Sequence, residues 1–316
     1  MRCVILDDHQ GVATSYADWS VLPGLEVSAV REHLTDVPEL LAAIGDAAVL
    51  VVMRERTPLT RELLRELPDL RLVVTSGLRN ASIDLDACRE RGITVCGTAS
   101  SSTPPVELTW ALVLGLVRHL VRESTALAGN GPWQSTVGRD LAGATLGLVG
   151  LGRIGSRVAA VGAAFGMDVV AWSPHLTEER AAAGGARLAP SLEALMGQSD
   201  VVSLHLVLSE ATRGIVGAGQ LALMRSTAYL VNTSRAGLVD TAALVAALRE
   251  RRIAGAGLDV YDVEPLPADH PLRGLDNVLA TPHLGYVTEA NYRRYFTEAV
   301  EDIAAWRAGD PVRLLT

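Results

Sequence analysis

Short apolar runs alternate along the chain with segments whose apolar positions recur at helical spacing. Runs of four or five apolar residues with no polar alternation read as strands buried on both faces, as in parallel sheets covered by helices. In the first third the pattern predicts strands at Cys3–Leu6, Val27–Val30, Val49–Val52, Leu72–Thr75 and Thr94–Cys96. Helices are predicted between them at Val37–Ile44, Leu59–Leu67 and Leu85–Arg91. Ser101–Pro105 supplies a breaker and a cap, and Val106–Val121 reads as one long buried helix.

A second series starts at Thr145–Val149 and continues through strands at Val169–Trp172, Val201–Leu204, Tyr229–Asn232, Gly257–Val260 and Val278–Ala280. Helices Ile154–Phe165, Leu192–Met196 and Thr241–Arg249 are interleaved, and Glu289–Ala308 forms a final amphipathic helix with no strand after it. The two series predict an α/β protein of two doubly wound parallel-sheet domains, the first interrupted by the second. The expected boundaries are 1–102 and 284–316 for one domain and 103–283 for the other. A terminal helix returning to the first domain would leave a cleft, where ligands usually bind.

Composition narrows the chemistry. A chain of 316 residues can bury two cores; with 49% hydrophobic and only 4% aromatic residues, those cores are mainly aliphatic. The net charge of -8 argues against nucleic acid as a partner. All 28 basic residues are arginine. The absence of lysine excludes Schiff-base chemistry, a P-loop lysine and the Tyr/Lys pair of short-chain dehydrogenases. Cys3, Cys88 and Cys96 are odd in number and lack metal-ligand spacing, which points to a reducing cytoplasm and to no bound metal. The start shows no signal peptide, and Val106–Val121, carrying Glu107, Arg118 and His119, is too short to span a bilayer.

Gly150-Leu151-Gly152-Arg153-Ile154-Gly155 is a GxGxxG element between a predicted strand and a predicted helix. Such a turn needs its first glycine for the bend, its second for the approach of a pyrophosphate and its third for helix–strand packing. An acidic ribose partner is expected at the end of the next strand, but Ser173 stands there, followed by Pro174 and His175. Serine can bond a ribose hydroxyl without repelling a 2′-phosphate. The turn therefore admits NAD or NADP, with NAD the expected cofactor and His175 or Arg180 the phosphate partners if it is NADP.

Four stretches at strand ends in the second half carry the remaining chemistry: Asn232-Thr233-Ser234-Arg235, Gly257-Leu258-Asp259-Val260, Glu264-Pro265 and Thr281-Pro282-His283-Leu284-Gly285. Singly, each has a plain explanation as a solvated turn or loop residue. Together and in this order, with the fingerprint and with Ser203-Leu204-His205-Leu206 and Thr212, they resemble the D-isomer-specific 2-hydroxyacid dehydrogenase family over nearly the whole chain. The resemblance implies a Rossmann cofactor domain inserted in a flavodoxin-like substrate domain, and a homodimer with the helix near Val106–Val121 at its interface. It also implies interconversion of a small 2-keto acid and its D-2-hydroxy acid.

In that reading His283 is the proton donor and acceptor, Glu264 favours and orients its imidazolium, and Arg235 holds the substrate carboxylate or keto oxygen. Cofactor contacts are expected from Gly150, Gly152, Arg153, Ile154, Gly155, Ser173, His205, Thr212, Thr233, Asp259 and Gly285, with Asp259 at the nicotinamide end. Formate dehydrogenases resemble the family but carry glutamine in place of the acid, so Glu264 favours hydroxy acids. In the first domain Gly77, Leu78 and Arg79 match a loop whose N–H groups meet the substrate carboxylate, and Arg54 matches an arginine pointing at the substrate. Extra arginines suit a substrate with a second anionic group. Trp133 and Tyr286 either line the pocket or pack. Two alternatives stay open: an NADPH-preferring glyoxylate/hydroxypyruvate reductase, and an NAD-sensing corepressor, which the complete triad disfavours.

Overall fold

The computed structural model describes residues 1–316. The chain divides into two compact units, Met1–Ser101 with Val287–Thr316, and Ser102–Tyr286.

In the first unit β1 (Arg2–Ile5), β2 (Glu26–Ala29), β3 (Val49–Val52), β4 (Leu72–Thr75) and β5 (Thr94–Gly97) form a parallel sheet in the order β2-β1-β3-β4-β5. β3 and β4 are buried at every position, which is why they read as unbroken apolar runs. Helices α1 (Val37–Ile44), α2 (Arg61–Arg65) and α3 (Leu85–Glu90) begin at Asp36, Thr60 and Asp84. Each of these side chains accepts an N–H of its first turn, a cap that stabilises a helix by about 1 kcal/mol. α2 is shorter than the predicted Leu59–Leu67 because Leu59 instead forms a bridge to Ile83.

The second unit carries seven parallel strands: β6 (Thr145–Val149), β7 (Asp168–Trp172), β8 (Arg187–Leu188), β9 (Val201–Leu204), β10 (Tyr229–Asn232), β11 (Gly255–Leu258) and β12 (Val278–Ala280). Their order is β12-β11-β10-β9-β6-β7-β8, so the direction of winding reverses between β6 and β9. The helices are α4 (Thr103–Val117), α5 (Leu120–Ala128), α6 (Arg153–Ala164), α7 (Glu178–Ala183), α8 (Leu192–Gln198), α9 (Ala218–Leu223) and α10 (Thr241–Arg249). α11 (Glu289–Arg307) belongs to the first unit. Both sheets are doubly wound, the fold class that the apolar pattern predicts.

The single long helix predicted at Val106–Val121 is two helices. α4 starts at Thr103, with proline in its first turn, and ends at Val117; His119 then adopts a left-handed backbone (φ 52°) that no α-helix can contain. α7, β8 and α9 have no counterpart in the predicted elements. β8 is two residues long and includes the exposed Arg187, too short for any period to register.

Candidate active site

The reversal between β6 and β9 is where a doubly wound sheet opens a crevice. The GxGxxG turn leaves β6 at that point. Gly150 has φ 105°, and a Cβ there would fall within 2.8 Å of the carbonyl of His205, just past β9. A Cβ on Gly155 would overlap the Gly150 carbonyl oxygen, so α6 can start this close only with glycine. A Cβ on Gly152, by contrast, would meet nothing within 4 Å. α6 also begins without a side-chain cap, unlike α7, α8 and α10, so its first N–H groups face that open space without a protein partner of this kind. The cradle fits a pyrophosphate, whose charge the helix dipole favours.

The other expected cofactor residues divide by what holds them. Ser173 sits half-buried just past β7, with exposed His175 and Arg180 beyond it, and Arg180 donates to the His175 carbonyl at 3.1 Å. Thr233 bonds Thr109 Oγ1 at 2.8 Å; since Thr109 already donates to Pro105, Thr233 is the donor. His205 Nε2 lies 2.9 Å from Ser203 Oγ, and burial pushes the ring down to about 4, so it is neutral at working pH. Thr212 Oγ1 accepts from Ser209 N and donates to Val207 O, which makes it a staple of its own loop.

Asp259, expected at the nicotinamide end, is engaged by the loop after β12. Fully buried, it accepts Thr281 Oγ1 and Leu284 N on Oδ1, both at 2.7 Å, and Gly285 N on Oδ2 at 2.8 Å. Both oxygens therefore brace the loop that carries His283. Burial raises its carboxyl above the ordinary range, opposed by these hydrogen bonds. Gly285, expected at the cofactor, gives its own N–H to this clamp.

The clamp has a physical reason. His283 has φ 53°, a left-handed conformation that costs a non-glycine residue about 1–2 kcal/mol. Hydrogen bonds to a charged group contribute roughly 1.5–3 kcal/mol each, so the two amides on Asp259 outweigh that strain. In this pose His283 Nδ1 is 2.6 Å from Glu264 Oε2, while Glu264 Oε1 accepts the Tyr261 N–H at 2.9 Å. The pair is only partly exposed, at 19% and 27% of the two side chains. Tyr286 stands edge-on to the imidazole, 5.4 Å between centroids, and is buried. Trp133, the other aromatic considered, is 76% exposed.

Arg235 follows β10, the neighbour of β11 in the sheet. Asn232 fixes this turn by donating to the Arg235 carbonyl and accepting the Ser234 N–H, and Arg235 Nη1 meets the Ser234 carbonyl at 2.8 Å. Arg235, Glu264 and His283 thus follow the carboxyl ends of three consecutive strands.

The substrate-loop residues lie in the first unit, past β3 and β4. Arg54 is left-handed (φ 54°), its N–H bonds Ser76 Oγ and its carbonyl accepts from Asn80. A Cβ on Gly77 would overlap the Arg54 guanidinium. The Gly77 N–H is engaged by Thr98 Oγ1 at 3.1 Å. Leu78 and Arg79 are exposed on the same loop. A buried acid that the sequence did not single out, Asp7, holds His33 Nδ1 and Thr57 Oγ1, both at 2.7 Å, where the winding of this sheet reverses.

A phosphate cradle at the switch point and a carboxylate-backed imidazole farther along the same sheet are the equipment of a dinucleotide-dependent oxidoreductase. The family model for the D-isomer specific 2-hydroxyacid dehydrogenase, NAD binding domain, matches residues 110–285. The chain is 38% identical over 272 residues to the (S)-sulfolactate dehydrogenase of Chromohalobacter salexigens, covering 85% of this chain and 88% of that one. It is 40% identical over 268 residues to the D-3-phosphoglycerate dehydrogenase of Methanocaldococcus jannaschii, covering 84% of this chain but spanning only 51% of that protein. A crystal structure of phosphoglycerate oxidoreductase from Vibrio cholerae O395 superposes with a TM-score of 0.93 at 37% identity, covering 98% and 99% of the two chains. D-Lactate dehydrogenase of Aquifex aeolicus, complexed with NAD and lactic acid, gives 0.77 at 31% identity, covering 98% and 96%. The chain belongs to the D-isomer specific 2-hydroxyacid dehydrogenase family.

Proposed function

We propose that the protein interconverts a small 2-keto acid and its D-2-hydroxy acid, with His283 as the acid–base group. The observation that carries this is the 2.6 Å contact between His283 Nδ1 and Glu264 Oε2. Because Nδ1 faces a carboxylate, it keeps its proton in both ring states, and Nε2 is the nitrogen that gains or loses one. When bound, NADH supplies the hydride for the carbonyl carbon. Nε2 of His283 then donates a proton to the developing alkoxide, and the reverse transfer serves oxidation. Arg235 offers two parallel N–H bonds to the substrate carboxylate or keto oxygen, which fixes the carbonyl and polarises it. Gly150, Gly152, Arg153, Ile154 and Gly155 would hold the pyrophosphate, and Ser173 the adenosine ribose.

Arg54 and Arg79 favour a substrate with a second anionic group, a preference supported by relatives named for sulfolactate and phosphoglycerate. NADH oxidation followed with a panel of 2-keto acids tests both points. Dianionic acids are expected to give the highest kcat/KM, with NADH ahead of NADPH. Faster turnover of glyoxylate would reject the dianion preference, and a strong preference for NADPH would favour the glyoxylate/hydroxypyruvate reductase reading. Turnover of no keto acid at all would support a binding protein instead.

The proposed homodimer rests on α5 and the arm after it. No residue of α5 is buried, yet Leu120, Val121 and Leu127 are more than half exposed, as are Trp133 and Val137 beyond the helix. Leu120 and Val121 end the segment expected at that interface, while α4 buries most of its apolar residues inside its own unit. An apolar patch of this kind marks an interaction surface. Sedimentation is expected to give a dimer that Leu127→Glu dissociates; a monomeric wild type would reject it.

A further inference from the structure

Two contacts made by Tyr261 converge on the His283–Glu264 pair from opposite sides. Its backbone N–H donates to Glu264 Oε1 at 2.9 Å, leaving Oε2 for the imidazole. Its hydroxyl lies 2.9 Å from the Thr281 carbonyl and 3.0 Å from the Leu258 carbonyl. The Thr281 oxygen also accepts the His283 N–H at 3.0 Å, closing the tight turn over Pro282 that delivers the imidazole. One residue is therefore tied to the carboxylate and to the turn that carries its partner.

We infer that Tyr261 is a positioning residue that holds the Glu264 carboxylate and the His283 turn in register through its backbone amide and its hydroxyl.

Asp259 braces the loop on both sides of His283, through Thr281 Oγ1 before it and the amides of Leu284 and Gly285 after it, and Tyr261 adds the tie between this turn and the Glu264 carboxylate. The phenol suits a permanent donor. Burial raises it above its ordinary value, and the neighbouring Asp259 and Glu264 carboxylates add to this against the opposing Arg273. It keeps its proton throughout the working range.

The same contacts predict that losing the hydroxyl loosens the pair without unfolding the unit. Thr281 O retains the His283 N–H and Leu258 O retains the Thr281 N–H, so Tyr261→Phe leaves neither carbonyl without a donor. The ring, packed against the aliphatic core of the second unit, is unchanged.

This inference rests on the proposed acid–base role of His283, and the test separates the two. Tyr261→Phe and wild type are compared by NMR titration of the His283 imidazole without substrate, its signals assigned by their loss in His283→Gln. Steady-state reduction of the best keto acid and thermal melting accompany it. In the variant the His283 signals are expected to broaden across the titration, as the imidazole loses its fixed place against Glu264. kcat should fall about tenfold, KM and NADH affinity should stay within about twofold, and the melting temperature should change by only a few degrees. A titration and kcat that coincide with wild type overturn the inference. So does a large loss of melting temperature with kcat and KM damaged together, the mark of a purely structural residue. If wild type reduces no keto acid, the functional reading fails, and the NMR titration alone still decides whether Tyr261 positions the pair.

Discussion

Replacing His283 by alanine is expected to lower kcat for keto-acid reduction roughly 10²–10⁴-fold while NADH still binds. The imidazole is the one group in the site whose ring can pass a proton from one nitrogen while the other is held by a carboxylate. Its backbone is set by Asp259 through the amides of Leu284 and Gly285, not by the imidazole, so the loop should survive the substitution. Some stability will be lost because the ring contact with Tyr286 disappears, while the left-handed strain is carried by alanine as by histidine. Stopped-flow turnover with a parallel fluorescence titration of NADH separates the two effects. Equal losses of binding and turnover would point to a structural role.

Gly155→Ala is expected to weaken NADH binding about ten- to a hundredfold. The added methyl would overlap the carbonyl oxygen of Gly150, which is backbone and cannot swing aside. Overpacking of this kind costs about 1–3 kcal/mol, against less than about 1 kcal/mol gained by placing alanine in a helix. The overlap wins, and relief requires α6 to retreat from the turn that cradles the pyrophosphate. With every tenfold in affinity worth about 1.4 kcal/mol, the loss is measurable by calorimetry. Unaltered NADH affinity would mean that the turn tolerates movement and that the cradle lies elsewhere.

The contrast between Gly155 and Asp259 shows what the chain discloses in advance. The glycine turn was readable because it is local: six residues, a strand before and a helix after. The parallel strands were readable because both faces are covered, leaving β3 wholly apolar and β4 and β10 with a polar residue, Thr75 and Asn232, only at their ends. The break at His119 was hidden, since it depends on one backbone angle inside an apolar stretch with no proline or glycine at the break. Glu264 and His283 stand 19 residues apart, and only their place among spaced motifs linked them before the structure gave a distance. That both Asp259 oxygens are taken by the His283 loop, and that Tyr261 reaches the Thr281 carbonyl, follows from how β11 and β12 lie side by side. Such contacts leave no periodic trace.

The pH profile of Glu264→Gln probes the pairing itself. Glutamine carries no charge and has a single acceptor oxygen, so it can take either the Nδ1–H of His283 or the Tyr261 N–H but not both, and the fixed pairing is lost. Across the pH range, kcat/KM for reduction and for oxidation should therefore both fall about ten- to a hundredfold, because proton transfer loses the charge and the fixed ring that it uses. Profiles that superpose on wild type in both directions would contradict proton transfer by a carboxylate-backed His283.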